Sequence, residues 1–430
     1  MATLQASPNA GDGARAVPKP RHVAAVVAGN ALEFYDFLTY AFFAAQIGRS
    51  FFPSANATSS LLASLATFGA GFLMRPVGAA VIGRLGDRRG RKPAMLLSFT
   101  LMGVAMTGLA LTPSFKAIGV LAPVLAIGWR LVQGFALGGE VGPSTAYLME
   151  AAPAHRRGFY VSLQFAGQRA ATLAAGLVGL FLSSFFPAAS LDVWGWRAAF
   201  LLGAVIVPFG VLLRSDLAET LTAQPTTDPA IVGRPQSLFL LTVLAIALLA
   251  GGTTVTYVVD YLTTYATSTL HMSPKVGFAA PITTGLAGMA GSIVGGWLSD
   301  RFGRKPLILI PWGVLLLVIL PGFALVSRER TAATLIGLSL VLSLSLSFYV
   351  SAALVSLSEG LPMRIRSGAL GLIYAFAISV FGGSTQFTVA WLTHATGSPL
   401  APAWYATGAV AVGLLAALAW PETAPARKRP

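Results

Sequence analysis

The chain has 430 residues, of which 55% are hydrophobic and only 10% charged, and its mean hydropathy is +0.73. An ordinary soluble domain carries about 25% charged residues, so this composition excludes a globule that faces water all round. The absence of cysteine excludes disulfides, thiolate metal sites and cysteine nucleophiles. A net charge of +14, from 29 basic and 15 acidic residues, raises nucleic-acid binding as a reading until its distribution is examined.

Residues 1–21 are rich in Ala, Pro and Gly and form an N-terminal tail that leads into a retained span, not a cleaved signal. Apolar runs long enough to cross a bilayer as helices, roughly 20 residues each, then follow in chain order. The first six lie near 22–46, 58–83, 93–112, 121–149, 158–184 and 197–213. A polar, Pro-interrupted stretch at 215–236 reads as a linker. Six more runs lie near 237–266, 277–298, 306–326, 332–357, 367–393 and 402–420, before a short tail at 421–430. The runs are continuous, whereas barrel strands alternate over about ten residues. The fold class expected is therefore an all-α membrane protein of twelve transmembrane helices.

With the N-terminus placed in the cytoplasm, the inside segments hold twenty of the 29 basic residues and the outside segments six. Arg75, Arg130 and Arg169 lie within spans. This bias puts both termini in the cytoplasm. It also explains the net charge without a nucleic-acid footprint, so nucleic acid is not expected as a partner.

Two loop pairs recur at half-chain spacing. GRLGDRRGRK at 83–92 returns as GWLSDRFGRK at 296–305, and EAAPAHRRG from Glu150 returns as EGLPMRIRS from Glu359. Repeats in so apolar a chain are a signature of secondary transporters. The domain boundaries expected are 22–214 and 237–420, two pseudo-symmetric six-helix bundles joined by the 215–236 linker.

Seven ionisable residues fall inside spans: Glu33, Asp36, Arg75, Arg130, Glu140, Arg169 and Asp260. Each costs roughly 2.5–3.5 kcal/mol at the bilayer centre when unpaired, on the order of 17–25 kcal/mol together. They must therefore pair or line a hydrated cavity, either as structural ion pairs or as working parts. In the first span Gly29, Glu33, Asp36 and Tyr40 share one helical face, and in the fourth Arg130, Gln133, Leu137 and Glu140 form a similar stripe. An Asp36–Arg130 or Glu33–Arg130 pair is the expected proton-coupling element, because a carboxylate that loses a neighbouring cation takes up a proton more readily. Arg169, with Gln164 and Gln168 beside it, has two open readings: a fork for an anionic substrate, or a partner for Glu140 or another acid. Asp260 stands among Tyr257, Tyr261 and Tyr265, suited either to substrate or to an interfacial belt. Gly134, Gly138 and Gly142, four apart, read as helix packing. The histidines, His22, His155, His271 and His394, lie at span ends or in loops. No His/Asp metal spacing and no Gly-rich phosphate loop is present, so no metal, cofactor or enzymatic activity is expected.

The decapeptides at 83–92 and 296–305 resemble the signature loop of the major facilitator superfamily, and Arg130, Gly134 and Gly138 are similar to its fourth-helix motif. GNALEFYDFLTY (29–40), GFLMRPVGA (71–79), QGFALGGE (133–140) and WGWRAAF (194–200) resemble the metabolite:proton symporter family, and FGGSTQFTVAWL (381–392) its citrate and tricarballylate symporters. The resemblance implies a monomer in the bacterial inner membrane that imports a small carboxylate with protons by alternating access. A zwitterion symporter of proline or betaine type, a 2-oxoglutarate symporter and a transporter-like sensor stay open beside it. Substrate contacts then fall on Arg130, Gln133, Gln164, Gln168, Arg169, Tyr257, Asp260, Tyr349 and Gln386, with Glu140 joining Glu33 and Asp36 in coupling. Gating contacts fall on Arg75, Asp87, Arg88, Arg91, Glu150 and Arg157 in the first half, and on Asp300, Arg301, Arg304, Glu359 and Arg366 in the second. Arg169 departs from the neutral, Gln-rich sequence that the citrate group implies at that place.

Overall fold

A computed structural model describes residues 20–89, 91–138, 148, 152–153, 156–215, 238–360 and 366–424. The expected linker therefore lies outside the described residues except for Ser215, as do the first nineteen and last six residues. Among the described residues the chain is helical with no strand. This is what a hydrocarbon solvent demands, since every backbone N–H and C=O must be satisfied within its own segment.

Among the described residues, nine helical stretches are long and apolar enough to cross a membrane. They are α2 (Ala57–Leu85), α4 (Leu121–Gly138), α5 (Arg157–Phe185), α7 (Phe239–Thr269), α8 (Pro274–Phe302), α9 (Arg304–Glu329), α10 (Ala332–Gly360), α11 (Leu370–Thr396) and α12 (Ala401–Ala419). Three further long helices occupy the remaining expected spans: α1 (Pro20–Phe42), α3 (Arg91–Leu111) and α6 (Trp196–Ser215). Local chemistry sets several ends. The Asn56 side chain accepts from the Thr58 backbone N–H at 2.9 Å to cap α2, and Ser273 followed by Pro274 starts α8. A short π-helical turn ends α7 at Tyr265–Thr269 and another interrupts α11 at Ile378–Gly382. Such turns gather at functional places, and the second one faces the other half of the molecule.

Two apolar cores form, each centred in one half and each taking in a few side chains of the other. The first is rich in Phe and Tyr, with Phe37, Tyr40, Phe68 and Phe72. The second is built around Trp312, Leu315, Phe323 and Leu346. The halves meet along two seams, α5 against α8 and α2 against α11. Small residues make both seams possible. A Cβ on Gly285 of α8 would stand 2.6 Å from Leu173 of α5, and a Cβ on Gly69 of α2 would collide with the Gly383 carbonyl of α11. Ser379, on the π-turn of α11, donates to the Phe72 carbonyl at 2.9 Å across the same seam.

Close approach without side chains also fixes α2 on α4. A Cβ at Gly134 would run into the Gly71 carbonyl and one at Gly138 into the Arg75 carbonyl, whereas Gly128, on the same helix, has open space. G134A is expected to cost roughly 1–3 kcal/mol by overpacking, read as a lower melting temperature of the purified protein in detergent. G128A, in the same assay, is expected to be neutral or slightly stabilising, because replacing a helical Gly with Ala restricts the unfolded chain.

Candidate functional site

Arg130 and Gln133 sit three residues apart on α4 and so point the same way. The Arg130 guanidinium donates to Gln133 Oε1, and Gln133 Nε2 donates to Asp36 Oδ1 of α1 at 3.1 Å. The direct Arg130–Asp36 separation is 4.0 Å, at the edge of an ion pair. Gln133 thus bridges the charges, and both ionic groups are almost fully buried. Asp36 Oδ2 and Arg130 Nε have no hydrogen-bond partner among the described residues. The remaining face of Arg130 is covered by rings: its guanidinium carbon lies 4.4 Å from the Tyr40 centroid, 5.2 Å from Phe68 and 5.7 Å from Phe37. Tyr40 is held in place by donating to the Ser64 carbonyl at 3.2 Å.

Arg75 continues the same surface, 4.1 Å from the Phe72 centroid and 5.2 Å from Phe37. Tyr257 of α7 closes the cluster from the second half, edge-on to Phe72 at 5.5 Å and to Phe37 at 5.7 Å. Asp36, Phe37, Phe72, Arg75, Arg130 and Gln133 line a small cavity with room for about one water molecule. A site that takes up a small organic ligand needs about 300 Å³ or more. All of these lining residues belong to the first half.

A second buried pair crosses between the halves. Arg169 of α5 and Asp260 of α7 stand 3.9 Å apart. Next to Arg169, Gln168 donates to Asn30 of α1 at 3.1 Å, and Gln164 is buried one turn earlier. The other expected substrate contacts are placed differently. Tyr349 donates to the Leu248 carbonyl at 2.7 Å and packs on Trp312 within the second core, so the structure does not bring it to the small cavity. Gln386 of α11 is fully buried, and neither end of its amide has a partner among the described residues.

The end of the molecule that carries the repeated loops is latched. The first turn of α5 leaves backbone N–H groups without helical acceptors, and the Asp300 carboxylate takes those of Gly158 and Phe159 at 2.9 Å each. A Cβ on Gly158 would stand 2.7 Å from that carboxylate, so a glycine is needed there. Arg304 binds Asp300 at 2.8 Å and Glu359 at 3.3 Å. Arg301, the other arginine of this loop, turns outward onto Trp297 and Phe302, with ring distances of 5.5 and 5.7 Å. It is therefore not part of the latch, because the chain reverses at Gly303 (φ 99°) and only Arg304 comes back underneath. Below the latch Val161 and Phe165 of the first half pack on Leu354 and Val355 of the second. The opposite end is also shut, with Phe43 against Phe278 at 5.4 Å and Thr264 donating to the Ala41 carbonyl at 3.3 Å.

The sequence reading missed the chain segment just after α12. Glu422 caps α9 by accepting from the backbone N–H groups of Arg304 and Lys305 at 3.0 Å each, while Thr423 donates to Glu359 at 3.0 Å. Glu33 lies in α1, and Asp87, Arg88, Arg91 and Arg366 lie in helices, but their side chains are outside the described residues, as are Glu140 and Glu150 altogether. Arg157 begins α5 at the latched end.

Partial burial pushes the Glu422 carboxyl up, but the backbone N–H donors of Ala424, Arg304, Lys305 and Thr423 outweigh it and hold the group below the ordinary carboxylate range. A depressed folded value means that its contribution is present above the unfolded pKa and lost only as pH falls through the folded one. The cap is therefore constant between about pH 5 and 8. The chain lacks cysteine, so V355C gives a clean label beneath the latch. Its maleimide reactivity is expected to be flat over that pH range, and to rise severalfold in D300N or E422Q, as the end opens more often.

Comparison with known proteins follows the same lines. A family model described as Major Facilitator Superfamily matches residues 26–385. The citrate-proton symporter of Salmonella typhi is 32% identical over 399 residues, covering 91% of each chain. The alpha-ketoglutarate permease of Escherichia coli K12 is 33% identical, covering 91% of each. The proline/betaine transporter of the same strain is 32% identical over 94% of this chain and 83% of its own. Among solved structures, a D-xylose-proton symporter aligns with TM-score 0.74 at 20% identity, over 95% of this chain and 98% of that one. The xylose transporter XylE from E. coli, partially occluded and inward open, aligns with TM-score 0.75 at 18% identity, over 94% and 98%.

Proposed function

The chain belongs to the major facilitator superfamily, and on that premise we propose that it is a proton-coupled symporter that carries a small carboxylate inward by alternating access. The observation that carries this reading is the buried Asp36–Gln133–Arg130 group, a carboxylate and a guanidinium that nearly touch in a space closed to bulk water. Relatives named as citrate-proton symporters and as an alpha-ketoglutarate permease support a carboxylate cargo. The reading further takes the protein as a monomer of the bacterial inner membrane with both termini in the cytoplasm, an orientation that the bias of basic residues supports.

In this reading Asp36 is the proton carrier and Arg130 with Gln133 sets when it is loaded. The rings that crowd Arg130 are themselves held by Tyr257 of the second half. Rocking of the halves about the two seams removes that cover and admits water. Once Arg130 is no longer held against it, Asp36 takes up a proton, and closure on the other side restores the pair and expels it. The Asp300 and Arg304 contacts act as the cytoplasmic gate, in competition with the Phe43–Phe278 closure at the opposite end. A second reading, a symporter of a zwitterion, is favoured by the proline/betaine relative at the same level of identity.

Purified protein in liposomes with an inward proton gradient is expected to accumulate labelled citrate or 2-oxoglutarate. D36N is expected to abolish gradient-driven accumulation while keeping exchange of internal for external substrate. Full accumulation by D36N would show that the proton moves elsewhere, with E33Q the next variant to test. A thermal-shift series with citrate, tricarballylate, 2-oxoglutarate, proline and betaine separates the two cargo readings, because a ligand at 100 times its Kd stabilises by about 2.7 kcal/mol.

A further inference from the structure

The three arginines within the spans are not equally engaged. Arg130 is engaged by Gln133, Asp36 and three rings, with its Nε left without a partner among the described residues, and Arg75 lies over the rings of Phe72 and Phe37. Arg169 has no hydrogen-bond acceptor among the described residues, and its one ion-pair partner there, Asp260, is 3.9 Å away. That is too long for a hydrogen bond. On the other side of the pair, Asp260 Oδ1 is buried and has no hydrogen-bond partner among the described residues. A guanidinium offers five N–H donors in a planar fork, and here a fork that is 12% exposed makes, among the described residues, a single long contact to a carboxylate that does not fill it.

Position and rigidity distinguish this from a flexible surface contact. The Arg169 side chain lies across the backbone of α8 at Gly288, where an added Cβ would stand 2.6 Å from its Cγ and Cδ. The missing side chain lets the arginine run between α5 and α8 and reach α7. Gln168, tied to Asn30, fixes the neighbouring turn of α5. Tyr257, one turn before Asp260, belongs to the ring cluster over Asp36 and Arg130. The Arg169–Asp260 contact thus joins a helix of the first half to a helix of the second, next to the proposed proton site.

We propose that Asp260 is a built-in stand-in for the cargo: in the empty, closed protein it holds Arg169 loosely, and a carboxylate of a net-anionic substrate displaces it to bind the guanidinium as a bidentate pair. A buried ion pair without hydrogen bonds recovers little of its desolvation cost, whereas a fork-to-carboxylate pair forms two charge-assisted hydrogen bonds. The exchange conserves charge around Arg169 and breaks the α5–α7 tie, so occupancy of the site and freedom of the halves to part become one event. This rests on the symporter reading of the site and assigns to it the residue that recognises the substrate and the one that guards it.

The test is binding, without any proton gradient, by isothermal titration of the full-length protein in detergent with citrate as the anionic probe and betaine as the zwitterionic one. D260N removes the competitor and is expected to tighten citrate about fivefold or more, within the usual range of coupling between sites. R169Q is expected to weaken citrate at least about thirtyfold, as for loss of one partner of a buried charged contact. R169K keeps the charge without the fork and is expected to bind between the two; it stands in if R169Q does not fold. The result that overturns the proposal is D260N binding citrate no more tightly than the wild type, with R169Q/D260N regaining wild-type affinity, which marks the pair as a structural brace. Betaine binding that is stronger than citrate binding and indifferent to R169Q also overturns it. Because these readouts need no gradient, a wild type that binds citrate as expected but accumulates none refutes the symporter reading alone, and uptake with unchanged D260N affinity refutes this proposal alone.

Discussion

Charge buried where water is scarce has to be neutralised by a partner that arrives from another helix, and in this chain the partners are placed so that moving the helices changes who is paired with whom. Asp36 and Arg130 come from α1 and α4 and are bridged by Gln133. Arg169 and Asp260 come from α5 and α7. Asp300 comes from the end of α8 and meets the first turn of α5. The last two cross between the halves, so the halves cannot separate at either place without exposing a charge or filling its vacancy. The apolar packing that supplies most of the folding energy is nearly indifferent to that choice, since lipid and protein interiors are alike to a leucine. The polar contacts are what make one arrangement of the halves differ from another.

The smallest residues of the chain decide where those contacts can form. Gly134 and Gly138 let α4 lie directly on α2, which brings Arg130 against Phe68 and Tyr40 instead of leaving a gap that water would fill. Gly158 lets Asp300 reach the start of α5, and Gly288 makes the trough along which Arg169 crosses α8. At Gly158 and Gly288 the space of the absent side chain is taken by a charged residue, and at Gly134 and Gly138 by a backbone carbonyl of α2. Packing and electrostatics are therefore set by the same positions, and a methyl group at one of them displaces a charge as well as a backbone.

What the sequence made legible follows from periodicity. Spans, halves and the facing of Asp36 and Arg130 could be read because an apolar helix makes each polar residue an exception, and spacing by three or four gives its direction. Gln133 was one polar residue in a stripe, and nothing in the sequence distinguished a bridge between charges from a residue that merely lines the face. The partner of Arg169 was open between several acids, since α5 and α7 are separate in sequence and spacing has no bearing on which helices touch. Arg301 and Arg304 were equivalent members of a repeated loop until the reversal at Gly303 sent one outward and one inward. Glu422 had no counterpart in the repeat and followed the last apolar run, so its cap on α9 was invisible to both signals.

The latch also bounds the energetics of the cycle. Hydrogen bonds to charged groups contribute roughly 1.5–3 kcal/mol each, so the two bonds from α5 to Asp300 stabilise the latched end by about 3–6 kcal/mol. A substrate can shift the balance between conformations only by the difference in its affinity for them. If binding had to bring a new charge into the centre with no cation waiting, its desolvation would consume that difference and the latch would stay shut. A cation already present and already paired changes the comparison. On the proposed exchange, substrate replaces one carboxylate by another, and the favourable part, two hydrogen bonds where there were none, remains available to offset the loss at Asp300. The displaced Asp260 is left to be rehydrated as α5 and α7 separate, which favours the parted halves only while substrate occupies Arg169. Under the same proposal the empty carrier recovers its own ion pair, so the two residues proposed to admit the cargo would also make the unloaded protein prefer to close.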